Sequence, residues 1–350
     1  MDDEDGPEDD PESSEAESES QSGAAALVPP SSEFRYSSDL SDEELRRRWE
    51  HELESLGSIS VGFADRGRLI NAVHMSHDAA WICQRPELAW GAQETIEALS
   101  TAFRAVHERF PASAPARLGQ IGARDGGYLR PHRSHQSGRD ADISFFYKND
   151  ASPRPGAPRE RLMDPERNWA LLRALITLTD VQVILVDRRI VSVLRKHAQA
   201  AGEDRAWIDR VFGGGKAALV QHAHRHRDHF HVRFFAPRSQ ELGRRVQPLL
   251  ALRPEHNLIT HRVKLGQTLS HIARVYGTTV VAIRKANHLR GTFLRAGHQV
   301  LVPLRKPCTH CPLPPPVVVP PRCLPAPASA PMVNAASVSG GGGVAAEGAK

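Results

Sequence analysis

The 350-residue sequence predicts an α+β fold: a small antiparallel sheet with surrounding helices, then a separate βααβ unit, flanked by segments that lack a core. Three observations lead there. Apolar residues recur at helical spacing in several stretches, short apolar or alternating runs of strand length lie between them, and the rhythm changes after Asn257.

Residues 1–40 are mostly Asp, Glu, Ser and Pro, so burial there cannot offset the entropy of ordering the chain, and the segment is expected to be disordered. Ser41-Asp-Glu-Glu44 reads as a capping box that opens a short helix through Leu45, Trp49, Leu53 and Leu56. From Trp90 to Phe110, apolar residues spaced by three and four predict a helix ending before Pro111. A second helix is expected over Pro165–Leu178, then a strand Val181–Val186, then a helix from about Arg188 to Ala201. The runs DADISFFY and HFHVRFF read as further strands. Residues 41–240 thus form one predicted domain, 241–256 a linker, 257–304 the βααβ unit and 305–350 a Pro/Gly-rich disordered tail.

Composition narrows the function. The apolar runs are far too short to span a membrane, which needs roughly 20 residues. Residues 1–54 carry 19 Asp and Glu against 4 Arg, a net of −15, leaving +19 on the rest, so the folded part suits an anionic partner such as wall polymer or nucleic acid. Nucleic acid has only charge in its favour, because no aromatic platform or reading motif accompanies it. Met1 is followed by acidic residues rather than a basic and then apolar run, so no signal peptide is visible. Of Cys83, Cys308, Cys311 and Cys323, the Cys308–Cys311 pair lacks the context of a redox domain and is expected to form a local disulfide or remain as thiols.

The chemistry concentrates in residues 131–147 and 221–235. His229 and His231 lie two apart on a strand, so their imidazoles share one face while Phe230, Val232 and Phe234 share the other. The same alternation sets Asp140, Asp142 and Ser144 opposite Ala141, Ile143 and Phe145. A carboxylate buried in such a strand is costly unless it is paired or ligates a metal. His135, in the turn before this strand, can fold back toward it. Two histidines and one carboxylate, either Asp140 or Asp142, leave an open position for water, as in catalytic zinc sites. Zinc there would lower the pKa of water toward about 7 and polarise a carbonyl. His229 is placed to move the proton, and His226 and His132 to orient water or stabilise an oxyanion. Asp125, in an Asp-Gly-Gly turn, reads as structural.

The pattern His135-x6-Asp142 with His229-x-His231 resembles the lysostaphin/D-Ala-D-Ala metallopeptidase/hedgehog group. Within it, SHQSGRDADI and HxxHxHVR are similar to the penicillin-insensitive murein endopeptidases, a resemblance running from about Gly57 to Pro237. It implies zinc held by His135, Asp142 and His231, a catalytic His229, an assisting His226, and hydrolysis of the D-alanyl to meso-diaminopimelyl crosslink of peptidoglycan in the periplasm or cell envelope. A Pro/Arg-rich stretch, residues 148–162, and the extra His222, His224 and Arg225 depart from that pattern and bear on specificity. The βααβ unit resembles a LysM domain, which implies binding to N-acetylglucosamine through two loops, Gly266, Gln267, Thr268 and Leu269, and Leu294, Arg295, Ala296 and Gly297. Leu269, Ile272, Ala273, Val281 and Ile283 are expected in its core. The alternatives are a D,D- or L,D-carboxypeptidase, or a wall-binding protein with a structural zinc.

Overall fold

The computed structural model describes residues 34–35 and 40–326, apart from 155, 216, 309 and 310. Most of the acidic segment and the Gly-rich end, both expected to be disordered, lie outside the described residues.

After a two-residue strand β1 (Phe34–Arg35), helix α1 (Asp42–His51) begins where Ser41 Oγ accepts the Glu44 N–H at 3.1 Å, as the capping sequence predicts. Strands β2 (Ile59–Phe63) and β3 (Arg66–Ile70) form a hairpin. Then come β4 (Val73–His74), β5 (Trp81–Cys83) and β6 (Trp90–Gly91). Helix α2 (Gln93–Arg109) starts three residues later than expected, because Trp90 and Gly91 pair with β4. Strands β7 (Ala116–Gln120) and β8 (Asp140–Ser144) follow, then α3 (Arg159–Leu162), α4 (Pro165–Leu178), β9 (Val181–Val186) and α5 (Arg188–Ala200). The domain continues with α6 (Arg205–Phe212), β10 (Val220–His222), β11 (His229–Phe234) and α7 (Pro237–Val246).

Among the described residues the central sheet has six strands in the order β10-β9-β11-β8-β7-β5. Its inner pairs are antiparallel, as expected, but β10 runs parallel to β9 and β5 parallel to β7. Each parallel pair is joined through helices, α5 with α6 and α2, the connection a parallel pair needs. One face of the sheet is core: Ala141, Ile143, Phe230, Val232 and Phe234 are buried against helix residues such as Leu99, Phe103, Leu171 and Trp207.

The expected linker 241–256 is largely structured. Helix α7 and the turn Gln247–Leu252 bury Leu242, Val246 and Leu250 against Leu45, Trp49 and Ile59 of α1 and β2. Their helical spacing is masked in the sequence by the flanking Arg244, Arg245 and Pro248.

The βααβ unit comprises β12 (Leu258–Arg262), α8 (Leu269–Val275), α9 (Val280–Ala286) and β13 (Gln299–Pro303), with β12 and β13 antiparallel. Its core holds Val263, Leu269, Ile272, Ala273, Ile283, Val300 and Val302. Val281 is not core as expected but 73 % exposed, because on the short α9 the inward positions are Val280 and Ile283, three apart.

Part of the predicted tail is also ordered. Strand β14 (Val318–Val319) pairs antiparallel with β1, and the residues after it strap the far end of the main sheet. Trp207 Nε1 donates to Cys323 O at 2.7 Å, Arg210 to Leu324 O at 3.2 Å, and Arg322 pairs with Asp180 at 2.7 Å. Trp207 is fully buried, so the strap satisfies an indole N–H that a polyproline reading of the sequence does not anticipate. Beneath it runs a cleft of about 420 Å³ floored by Ile176, Val181, Leu219 and Phe235. Cys308 and Cys311 form a disulfide.

Candidate active site

The polar face of the sheet is assembled by register. His229 lies opposite Ser144, His231 opposite Asp142 and Arg233 opposite Asp140. Alternation along both strands therefore collects these side chains on the face away from the core.

His135 arrives from the turn preceding β8. Its backbone has φ 66°, a left-handed conformation that costs a non-glycine residue about 1–3 kcal/mol and that surrounding contacts must hold. Its N–H donates to Asp140 Oδ2 at 3.1 Å and its ring Nδ1 is 2.8 Å from Ile121 O. The turn closes at Gly138, φ 74°, where a Cβ would lie 2.9 Å from Ala92 N. Asp125, as expected, serves a turn: its carbonyl accepts the Leu69 N–H, and Gly126 and Gly127 both have positive φ.

Three donor atoms meet at the centre. His135 Nε2 is 3.2 Å from Asp142 Oδ1 and 3.2 Å from His231 Nδ1, and His231 Nδ1 is 3.1 Å from Asp142 Oδ1. All three residues are buried. His132 stands beside them, its Nδ1 3.9 Å from Asp142 Oδ2, and the ligating atoms of His132, His135 and Asp142 lie within 4.8 Å of one another, a group able to hold a metal ion.

Around this centre the partners are specific. Arg233 donates to both oxygens of Asp140, at 2.7 and 3.0 Å. The far nitrogen of His231, Nε2, is 3.5 Å from Ser134 Oγ and 3.7 Å from Asp140 Oδ2. Gln120 Nε2 donates to Asp142 Oδ2 at 3.0 Å and lies 2.6 Å from His132 Nε2. Arg85 donates to the Gln120 carbonyl oxygen at 3.2 Å and so fixes which way that amide faces. Gln120 and Arg85 carry no signal in the sequence, since β7 has no marked pattern and Arg85 sits in a loop.

His229 is at the mouth, its Nε2 3.6 Å from Asp142 Oδ1 and its Nδ1 2.7 Å from Asp228 Oδ1. The His226 ring is 5.1 Å from that of His229 and 5.5 Å from that of His231, with Nδ1 2.7 Å from His224 O. All the histidines expected at the site are thus adjacent, whereas His222 and His224 are exposed and meet edge to face.

Electrostatics divides these rings. Burial, then the neighbouring histidines and above all His135 for His132, pushes His132 and His226 down to about 4. Burial opposes charge on His135 most strongly, but the Asp142 and Asp140 carboxylates outweigh it and raise His135 to about 9. For His229 burial is likewise overcome, by the hydrogen bond to Asp228 and the charge of Asp142. Asp142 is held well below the usual carboxylate range, since the His135 and His231 contacts outweigh its burial.

The family profile described as penicillin-insensitive murein endopeptidase matches residues 60–251, more than half of the sequence. The chain belongs to this family. A LysM domain profile matches residues 261–303, the βααβ unit. No curated protein matches the chain. As a murein endopeptidase with a LysM domain, the protein is a peptidoglycan-cleaving hydrolase of the cell wall, and peptidoglycan is its partner in both domains. Among the described residues no helix is long and apolar enough to cross a membrane.

In the LysM domain the end of the second expected loop is tied to Val263, three residues before the first: Gly297 N–H donates to Val263 O and Val263 N–H to His298 O, each at 2.8 Å. Gly266, Thr268, Arg295, Ala296 and Gly297 are exposed. Within the loops, Gln267 Oε1 accepts from Lys264 N–H and Thr268 Oγ1 caps α8 through His271 N–H. Leu269 is buried, so its side chain serves the core, and Leu294 packs partly against it. The neighbouring apolar side chains Leu265 and Phe293 are 92 % and 82 % exposed.

Proposed function

We propose that the murein endopeptidase is a zinc enzyme that hydrolyses the D-alanyl to meso-diaminopimelyl crosslink, with His135, Asp142 and His231 as ligands. The observation that carries this is the 3.1–3.2 Å triangle of Nε2, Oδ1 and Nδ1. Zinc bonds of 2.0–2.2 Å in a tetrahedron separate neighbouring ligand atoms by about 3.3–3.5 Å, so these donors fit one ion with little movement. Asp140, by contrast, is neutralised by Arg233 and acts by holding the His135 backbone.

An ion held there supplies Lewis acidity to a peptide carbonyl and to water. The protein's own groups do the rest. His229, with Nδ1 fixed by Asp228, turns Nε2 toward the centre and serves as the base that takes a proton from water and returns it to the leaving amine. His226 assists: with Nδ1 directed at His224 O its other nitrogen is an acceptor near neutral pH. His132, held by Gln120, is a further neutral ring beside Asp142 and orients water.

The LysM loops Gly266–Leu269 and Leu294–Gly297 are the proposed glycan contacts, with N-acetylglucosamine as ligand. Leu269 contributes there through its backbone alone. Crosslinked murein lies outside the cytoplasm, so the proposed location is the periplasm or another secreted compartment.

The test is a comparison of crosslinked muropeptide dimers with monomers, together with zinc content, for the wild type and His229→Ala. The expected result is one zinc per chain in both proteins, dimers converted to monomers by the wild type, and a drop of about 10²–10⁴ in rate for the variant. Removal of a terminal D-Ala from monomers with dimers left intact would make it a carboxypeptidase. Zinc without any cleavage would make the metal structural.

A further inference from the structure

The LysM domain touches the same segment that delivers the histidines of the active site. Gln136, the residue after His135, donates from Nε2 to Gln299 Oε1 of β13 at 3.1 Å. The His298 ring lies 6.4 Å from that of Tyr128, and Leu301 approaches Gly127. His298 and Gln299 directly follow the second glycan loop, and Tyr128 to Gln136 run straight into His132, Ser134 and His135.

The module is also fixed where the chain enters it. Arg68, a buried cation of β3, donates to His256 O at 2.6 Å, and the His256 ring packs 5.6 Å from that of Trp49. Arg253 donates to Trp49 O and Glu50 O. On the exit side Asn257 Nδ2 donates to Leu304 O and Lys306 O, and the strap beyond anchors to Trp207 and Asp180. These contacts leave no free tether between the two domains.

We infer that the LysM domain is a docked wall of the substrate groove, which holds a glycan strand in fixed register with the peptidase centre through the Gln136–Gln299 contact. This rests on the reading of the two domains as peptidase and glycan binder. Gln299 is then a positioning residue. The ligand class is a glycan strand together with the carboxylate-bearing peptide it carries. Exposed Arg130 and Arg295 at the rim of the seam suit such carboxylates, and both lie close enough to His298 to lower its pKa further after burial does so.

Two full-length variants test this: Gln299→Ala, and a Gly-Ser-Gly-Ser insertion between Glu255 and His256 that replaces docking by a tether. Three readouts are compared with the wild type: retention on intact sacculi, cleavage of soluble muropeptide dimers, and cleavage of intact sacculi at saturating substrate. Docking predicts that retention and dimer cleavage stay within about twofold. Cleavage of intact sacculi falls about fivefold or more, at unchanged half-saturation, because bound strands sit out of register. Variants that match the wild type on sacculi overturn docking, since a flexible tether would serve equally well. Loss of dimer cleavage or of sacculus retention in the wild type strikes the underlying reading instead. Unchanged thermal unfolding of Gln299→Ala excludes misfolding as the cause, and a variant that unfolds is replaced by Gln299→Met, which keeps the side chain's length but has no oxygen to accept from Gln136 and for which docking predicts the same selective loss.

Discussion

Arg233 grips both oxygens of Asp140, at 2.7 and 3.0 Å, and Asp142 is left as the carboxylate shared by His135 and His231. Two strand-adjacent aspartates on one face thereby take different tasks. Asp142→Ala is expected to abolish metal retention and cleavage. Asp140→Asn loses the charge opposite Arg233 and slackens the His135 turn, so metal affinity is expected to fall about 10–100-fold with the ligands intact. Chelator competition on the two variants measures both effects, and equal losses would contradict the division.

Metal uptake should depend on pH with a definite sign. Without metal, His135 keeps its proton up to about 9 beside Asp142 and Asp140, and that proton must leave before Nε2 can coordinate. Apparent zinc affinity is therefore expected to rise about tenfold per pH unit below about 9 and to level off above it. The metal-free protein behaves oppositely in stability. A folded pKa raised from 6.5 to about 9 gives a contribution fully present below 6.5 and lost as pH rises through about 9. Isothermal titration across pH 6–9 in buffers of different ionisation enthalpy would count the proton released, and denaturant melts of the metal-free protein would follow the second effect.

Gly138→Ala is expected to destabilise the protein by several kcal/mol. The substitution places a Cβ 2.6 Å from Leu69 Cδ2 and 2.9 Å from Ala92 N at a φ of 74°. Because Gly138 closes the His135 turn, metal affinity should fall together with the unfolding midpoint. An unchanged midpoint would show that the turn adapts.

The C-terminal strap should come loose in a graded way. Arg322→Ala removes a half-exposed ion pair with Asp180 and is expected to cost under about 1 kcal/mol. Trp207→Phe removes the indole donor to Cys323 O, leaves that half-buried carbonyl without its partner and a gap beside a fully buried ring, and is expected to cost about 1–3 kcal/mol. Limited proteolysis between residues 311 and 324 should accelerate in that order.

The elements that carry the site were readable because their periodicity and their chemistry coincide. Alternation in DADIS and HFHVRF separates core from polar face, and the structure bears this out with Ala141, Ile143, Phe230 and Val232 buried behind Asp142 and His231. Helix α4 and strand β9 have the expected bounds because Asp164 caps the one and the apolar run is the length of the other. What escaped depends on partners distant in sequence. Gln120 gains meaning only when β7 pairs with β8, and α7 with the turn Gln247–Leu252 after it becomes core only against α1, 200 residues away where Trp49 Nε1 donates to Leu249 O. The strap reads as solvated polyproline until Trp207 is there to receive it.

The strap follows the LysM domain in the chain, and this bears on how the two domains can be separated experimentally. A truncation after Leu252 removes the glycan binder, but it also strips the cover from Trp207 and from the apolar cleft floored by Ile176, Val181 and Phe235. Such a fragment would lose activity through a wound at the opposite end of the sheet from His229, and the loss would be misread as lost wall affinity. An internal excision of residues 257–304 that keeps the strap separates the two causes.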